Sequence, residues 1–344
     1  MAIATIDSFG PIVPPVPDPD APLAGQTVLV TGGAGFIGVN LARVLRGAGA
    51  RTVAYDSFVT GRVADAEGAG YDDIVEGDIR DAAALERAAV GVDAIVHLAA
   101  RTGVIDSVED PRGDAETNVL GTLNALLAAR DGGAGAFVFA SSGAPLGAAE
   151  PPGHEGLAPR PLSPYGASKL AGEGLCSAFS GSYGISATAL RFTNVYGPFS
   201  YHKGSVVALY LKRIMDGVPL TVYGDGEQTR DFLFVDDLCD AVVAAIARRP
   251  TAGLYQLGTG VETSVNTLAR LLVELMGDQQ VTVEYEPERP GEIRRAYSDI
   301  SRARRELGYA PGTALADGLK ITADWFRREY GEATAVPPST GASR

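Results

Sequence analysis

Two side chains that could share a proton stand four residues apart. They are Tyr165 and Lys169, in the run Ser-Pro-Tyr-Gly-Ala-Ser-Lys over 163–169. The run reads as a helix start, and residues i and i+4 share a helix face, so phenol and ammonium can lie side by side. A free tyrosine titrates near a pKa of about 10, and a neighbouring cation favours the phenolate and lowers that value. A phenol tuned in this way can take a proton from an alcohol and later return it. Ser141-Ser142 closes the apolar run Ala136–Ala140. The carboxyl ends of strands are where open parallel sheets bind ligands, so a hydroxyl there can orient a substrate oxygen. Tyr-x-x-x-Lys also arises by chance on solvated helix faces. The pair therefore gains its weight from the elements that precede it.

Residues 28–38 read Val-Leu-Val-Thr-Gly-Gly-Ala-Gly-Phe-Ile-Gly. Gly32, Gly35 and Gly38 follow a strand and open a helix. Such a turn needs positive φ or close backbone approach, and the helix N-terminus presents free N–H groups to a pyrophosphate. A purely structural glycine turn has the same appearance. Asp56 ends the next strand, about where an acid in this arrangement binds adenosine ribose hydroxyls. A carboxylate there repels a 2′-phosphate, which favours NAD over NADP; otherwise Asp56 is a solvated strand-end acid. Asp78-Ile79 follows a short strand, Ile74–Val75, and is placed to flank an adenine.

These residues must be positioned by a larger scaffold. Thr27–Val30, Arg51–Tyr55, Ala94–Leu98 and Ala136–Ala140 are apolar runs of strand length. Val39–Arg46 and Leu120–Arg130 have helical periodicity. Strands alternating with helices imply an α/β fold with a doubly wound parallel sheet. After Leu190, Gly-, Pro- and Tyr-rich loops (194–204, 223–230, 286–298) alternate with helical stretches at 205–216, 236–248 and 264–276. This pattern predicts a smaller C-terminal substrate-binding lobe.

The chain has 344 residues, 46% of them hydrophobic, with a formal charge of −13. That balance argues against a nucleic-acid surface, which would be basic, and against attraction to anionic membranes. No apolar run reaches transmembrane length. Residues 1–24 lack a basic signal-peptide start and carry prolines at 11, 14, 15, 17, 19 and 22, so they read as a disordered tail. Residues 331–344 read as a second tail. Cys176 and Cys239 are far apart and His97, His154 and His202 are scattered. Neither a disulfide nor a metal site is expected, which suits a cytoplasmic protein.

Taken together, the motifs resemble the extended short-chain dehydrogenase/reductases of the NAD-dependent epimerase/dehydratase family, over roughly residues 26–330. They are Thr-Gly-Gly-Ala-Gly-Phe-Ile-Gly (31–38), His-Leu-Ala-Ala (97–100), Asn118, Ser141-Ser142, the Tyr165–Lys169 run, Arg-Phe-Thr-Asn-Val-Tyr-Gly-Pro (191–198), Gln-Thr-Arg-Asp-Phe (228–232) and Arg-Pro-Gly-Glu (289–292). The resemblance implies a Rossmann NAD-binding domain over 25–190 and a nucleotide-sugar lobe over 191–330. It implies a catalytic Ser142, Tyr165 and Lys169. It implies dinucleotide contacts at Phe36, Ile37, Asp56, Asp78, Ile79, Ala99, Asn118 and Lys169. Asn194, Thr221, Tyr223, Arg230, Arg289 and Glu292 match the nucleotide end of the sugar donor, and two arginines can clamp a diphosphate through bidentate hydrogen bonds. It also implies a homodimer paired through helices 120–130 and 165–181, to which Leu127, Ala128, Leu170 and Leu175 would lend small and apolar faces.

The shared first step that the resemblance implies is oxidation of the sugar at C4. The residues after Ser142 then decide the outcome. The family's 4,6-dehydratases carry an Asp-Glu pair there, and its UDP-glucuronate decarboxylases a Glu at the second position; this chain has Gly143 and Ala144. Neither moves a proton, so the reading is a UDP-hexose 4-epimerase of the glucose/galactose type. A UDP-glucuronate decarboxylase and an NAD-binding sensor or scaffold are the alternatives. An intact Ser142, Tyr165 and Lys169 speaks against the sensor. Asn194 and Tyr201, where uronate epimerases tend to have Thr and Arg, favour a neutral hexose, and small Ala296 would tolerate an N-acetyl group. One departure stands out: Pro145-Leu146-Gly147 replaces the usual Val-Tyr-Gly.

Overall fold

A computed structural model describes residues 21–277, 281–288 and 293–335. Arg289, Glu292 and the ends of both expected tails lie outside the described residues. The first half lays down β1 (Thr27–Thr31), β2 (Arg51–Asp56), β3 (Asp73–Glu76), β4 (Ala94–His97), β5 (Ala136–Ser142) and β6 (Ser186–Phe192). Beyond them come β7 (Asn194–Tyr196), β8 (Leu220–Tyr223), β9 (Thr229–Arg230), β10 (Phe232–Phe234), β11 (Leu254–Leu257), β12 (Thr263–Ser264) and β13 (Val283–Glu286). Seven strands form one sheet in the order β11-β6-β5-β4-β1-β2-β3, and every pair in it is parallel. This is the doubly wound α/β fold expected.

Burial on both faces explains why these strands are nearly continuous apolar runs rather than alternating ones. Val28 and Val30 enter one core and Leu29, between them, the other. On the first face lie α1 (Phe36–Gly47) and α9 (Val235–Arg248), through Leu41, Leu45, Leu238 and Val242. On the second lie α3 (Ala82–Ala88), α6 (Gly121–Gly132) and α7 (Pro164–Tyr183), through Leu85, Leu126 and Phe179. The remaining helices are α2 (Val63–Ala69), α4 (Val104–Glu109), α5 (Pro111–Ala115), α8 (Val206–Met215), α10 (Val265–Met276), α11 (Ser301–Leu307) and α12 (Leu315–Ala335). A single π-turn, Glu116–Leu120, joins α5 to α6.

Segment 191–330 contributes to both parts of the molecule. β11 pairs with β6 in the main sheet, and the rest builds three two-stranded ladders, β7–β10, β8–β13 and β9–β12. At the N-terminal side Leu23 is fully buried and its N–H donates to the Ala48 carbonyl, so ordered packing starts inside the stretch expected to be a tail. At the other end α12 continues to Ala335. Ala128 is fully buried in the core beneath the sheet. That corrects its assignment to an outer pairing face: helix α6 turns this side toward its own sheet.

Candidate functional site

The glycine-rich turn sits between β1 and α1. Gly32 has φ of 73°, and a Cβ there would lie 2.7 Å from the Ala99 nitrogen. A Cβ on Gly38 would lie 2.5 Å from the Gly32 carbonyl oxygen, so only glycine lets α1 seat on the turn. Gly35 caps α1 in extended conformation with no side-chain hydrogen bond, which leaves first-turn N–H groups for a ligand. Asp56 closes the other side. Its carboxylate accepts from the Ala34 N–H at 3.0 Å and the Phe58 N–H at 2.8 Å. The cradle and the acid beside it fit the two ends of an adenosine diphosphate.

The other expected dinucleotide residues divide by burial. Phe36 and Ile79 are buried in the core, and Ile37 and Ala99 are half-buried. The Asp78 carboxylate is held by Arg80 at 2.6 Å, which keeps it below the usual carboxylate range. Asn118 sits in the π-turn, an irregularity frequent at functional sites. Its amide nitrogen donates to the Arg101 carbonyl and the Asp114 carboxylate, both at 2.9 Å, and its oxygen accepts from the Arg101 N–H.

Ser142 ends β5, and α7 begins across from it. Ser163 caps that helix, accepting from the Gly166 N–H at 3.1 Å, with Pro164 in the first turn; both are favoured helix-start residues. The Tyr165 N–H donates to Ser107 Oγ. Ser142 Oγ accepts from the Ala144 N–H at 3.1 Å, and its hydroxyl is close enough to the Tyr165 phenol to favour the phenolate. Lys169 Nζ donates to the Ala140 carbonyl at 2.8 Å and lies 5.8 Å from the Tyr165 ring centroid. The fold therefore brings Ser142, Tyr165 and Lys169 together.

Their electrostatics depart from expectation. Burial is the largest influence on Tyr165 and lifts its phenol above the ordinary value; the Ser142 hydrogen bond opposes this and Asp114 adds to it. The expected lowering by Lys169 is not found: Lys169 is not among the groups that shift this phenol, and burial sets the direction. Burial likewise depresses Lys169, to about 8, with Asp114 opposing and Lys203 reinforcing. Behind the pair, buried His97 bridges Thr31 at 2.7 Å and Thr122 at 3.1 Å, and burial pushes it down to about 3.

Three further residues hold this geometry: Glu173 and Asp114, not singled out from the sequence, and Arg191, read there only as the first residue of the 191–198 motif. Glu173, one turn beyond Lys169, accepts from Ser141 Oγ at 2.5 Å and from Arg191 Nε and Nη2 at 2.7 Å. The pair joins β5, β6 and α7. Its only sequence signal is the spacing of 169 and 173. Asp114 is the third, four residues before Asn118. The Pro145-Leu146 departure also gains a physical account. Ala144–Leu146 is a 3-10 turn whose proline fixes φ, Leu146 is buried, and the Pro145 carbonyl accepts from the Arg160 N–H.

The lobe residues lie on separate ladders. Thr221 and Tyr223, two apart on β8, share a strand face; Thr221 is buried and Tyr223 half-buried. Asn194 is exposed on β7. Arg230, on β9, is half-buried, and its Nη1 donates to the carbonyls of Thr229 and Ile293 at 2.8 Å. Tyr201 is tied elsewhere: its hydroxyl meets Asp65 at 3.2 Å, Arg62 lies over its ring, and it stacks on Trp325. Among the described residues no cluster of His, Cys, Asp or Glu could hold a metal ion, and no helix is long and apolar enough to cross a membrane.

The model of the NAD-dependent epimerase/dehydratase family matches residues 28–258. The chain is 37% identical, over 309 residues, to a UDP-glucose 4-epimerase of Mycolicibacterium smegmatis, covering 88% of this chain and 98% of the relative. It is 36% identical to a dTDP-glucose 4,6-dehydratase of Streptomyces griseus, covering 88% and 94%. The UDP-glucose 4-epimerase of Thermus thermophilus, solved in complex with NAD, superposes with a TM-score of 0.79 at 34% identity, covering 88% of this chain and 99% of that one.

Proposed function

This chain belongs to the NAD-dependent epimerase/dehydratase family, with NAD as its cofactor, and from that premise we propose that it is a UDP-hexose 4-epimerase. The observation that carries this reading is the space beyond Ser142. A Cβ built on Gly143 meets nothing within 4 Å, and neither Gly143 nor Ala144 can move a proton. In this reading the site has one side chain that carries the proton, Tyr165, and no bulk at Gly143 to hinder the sugar. That is enough for epimerisation and too little for loss of water, the reaction of the dTDP-glucose relatives.

In this reading Gly32, Gly35, Gly38, Phe36 and Ile37 surround the dinucleotide pyrophosphate. Asp56 binds the adenosine ribose, Asp78 and Ile79 flank the adenine, and Ala99, Asn118, Tyr165 and Lys169 border the nicotinamide end. When bound, NAD supplies a reversible hydride acceptor at C4. Ser142 orients the C4 oxygen. Tyr165 takes the hydroxyl proton and returns it to the product, and the Lys169 ammonium faces the phenolate while it carries charge. Asn194, Thr221, Tyr223 and Arg230, with Arg289 and Glu292, hold the nucleotide and diphosphate.

Incubation with UDP-galactose should yield UDP-glucose without net NADH and without carbon dioxide. Carbon dioxide from UDP-glucuronate, with UDP-galactose untouched, would replace this reading by the decarboxylase. No reaction with either would favour a sensor. We further propose a homodimer through the outward sides of α6 and α7, where Leu127, Leu170 and Leu175 are only partly buried and Leu120 is 54% exposed. A monomer mass by light scattering at micromolar concentration would reject that pairing.

A further inference from the structure

The Tyr165–Lys169 pair, on α7, is faced by charged or titratable groups from three other elements. β4 supplies His97, which is neutral; the lobe supplies Lys203; and α5 supplies Asp114. Asp114 is 1% exposed. Its carboxylate accepts from Asn118 Nδ2 at 2.9 Å, and the same nitrogen lies 3.3 Å from the hydroxyl of Ser168, the neighbour of Lys169. Among the described residues no Lys or Arg hydrogen-bonds Asp114; the other cation in its field is Arg101, on the loop after β4, whose guanidinium is already paired with Asp110. An isolated buried carboxylate is expensive, and so is an isolated buried ammonium. Lys169 Nζ has a neutral carbonyl as its hydrogen-bond partner.

We propose that Asp114 is a positioning residue of this site: its negative charge balances the buried Lys169 ammonium, and its hydrogen bond holds Asn118 against α7. The proposal rests on the reading of Tyr165 as the proton carrier. It stands on the burial of the carboxylate, its hydrogen bond into the π-turn, and the packing of α5 and that turn on α7. Asp114 is also the carboxylate that opposes the effect of burial on Lys169 and adds to it on Tyr165. Both effects have one sign, since a negative charge favours the protonated form of each group. Removing it must therefore let both groups lose their protons at lower pH.

The test is Asp114→Asn in the NAD-loaded enzyme. The variant keeps shape and an acceptor for Asn118 but loses the charge. In the pH profile of kcat, the two limbs report the titrations of Tyr165 and Lys169. Both limbs should move toward lower pH, each by about one unit, the lower end of what a close charge does. A fall in kcat with both limbs unmoved, or limbs moving in opposite directions, would overturn the proposal. Asp114→Glu retains the charge and should keep the limbs near their wild-type positions. If it moves them as far as the loss of charge should, packing and not charge is the cause. A readout independent of turnover is tyrosinate absorbance, taken as the difference from Tyr165→Phe. A Tyr165 midpoint unmoved by Asp114→Asn defeats this inference alone, whereas full turnover in Tyr165→Phe defeats the reading of Tyr165 itself.

Discussion

The sheet end of the site and the lobe are built by different means. Ser142, Tyr165, Lys169, Asp56 and the glycine turn sit on or against one seven-stranded parallel sheet, whose strands are buried on both faces. Glu173 and Arg191 lock two of those strands to α7 through a buried ion pair. Asn194, Thr221 and Arg230 sit on three separate two-stranded ladders, with Arg230 on a strand of two residues. Isolated two-stranded pairs are marginal by themselves, so the lobe depends on packing against the sheet domain. The division suits the proposed chemistry, in which the sheet half moves the proton and the lobe holds the nucleotide. Proton transfer needs reacting atoms held within a few tenths of an ångström, and that half has the rigid frame. Recognition of a nucleotide tolerates adjustment, and that half has the short ladders.

This contrast makes predictions that can break it. The largest effect is expected at the sheet end. Tyr165→Phe removes the proton acceptor and keeps the ring, so kcat should fall by roughly 10²–10⁴-fold with little change in nucleotide-sugar affinity. A steady-state comparison with a binding titration checks this. An equal loss of affinity would show that the two halves are not functionally separate. Arg230→Ala, on the lobe, should act the other way. If Arg230 holds the diphosphate as proposed, this removes a charged hydrogen-bond donor, typically about 1.5–3 kcal/mol, so KM should rise by roughly 10–100-fold with kcat nearly retained. A drop confined to kcat would place Arg230 in the chemistry and erase the contrast.

The sequence by itself determined the sheet half of this protein. Apolar runs of strand length, the glycine turn, the acid at the end of β2 and the tyrosine–lysine spacing are local signals. They report local requirements: strands buried on both faces, a backbone that must approach closely, a shared helix face. Neighbouring residues decide all three, so Gly32, Asp56, Ser142, Tyr165 and Lys169 were legible from the chain alone. What needed the tertiary structure was whatever depends on a partner distant in sequence. β11 joins β6 across 61 intervening residues (193–253), and a four-residue run carries no mark of which sheet it enters. Ala128 faces its own core because the sheet lies on that side of α6. Asp114 and Glu173 read as ordinary helix acids until the fold buries them, Asp114 against Asn118 and Glu173 against Arg191. The direction of the Tyr165 shift was settled in the same way. Helical spacing puts Lys169 on the same face, but the depth of burial, which only the fold decides, sets the direction of the shift.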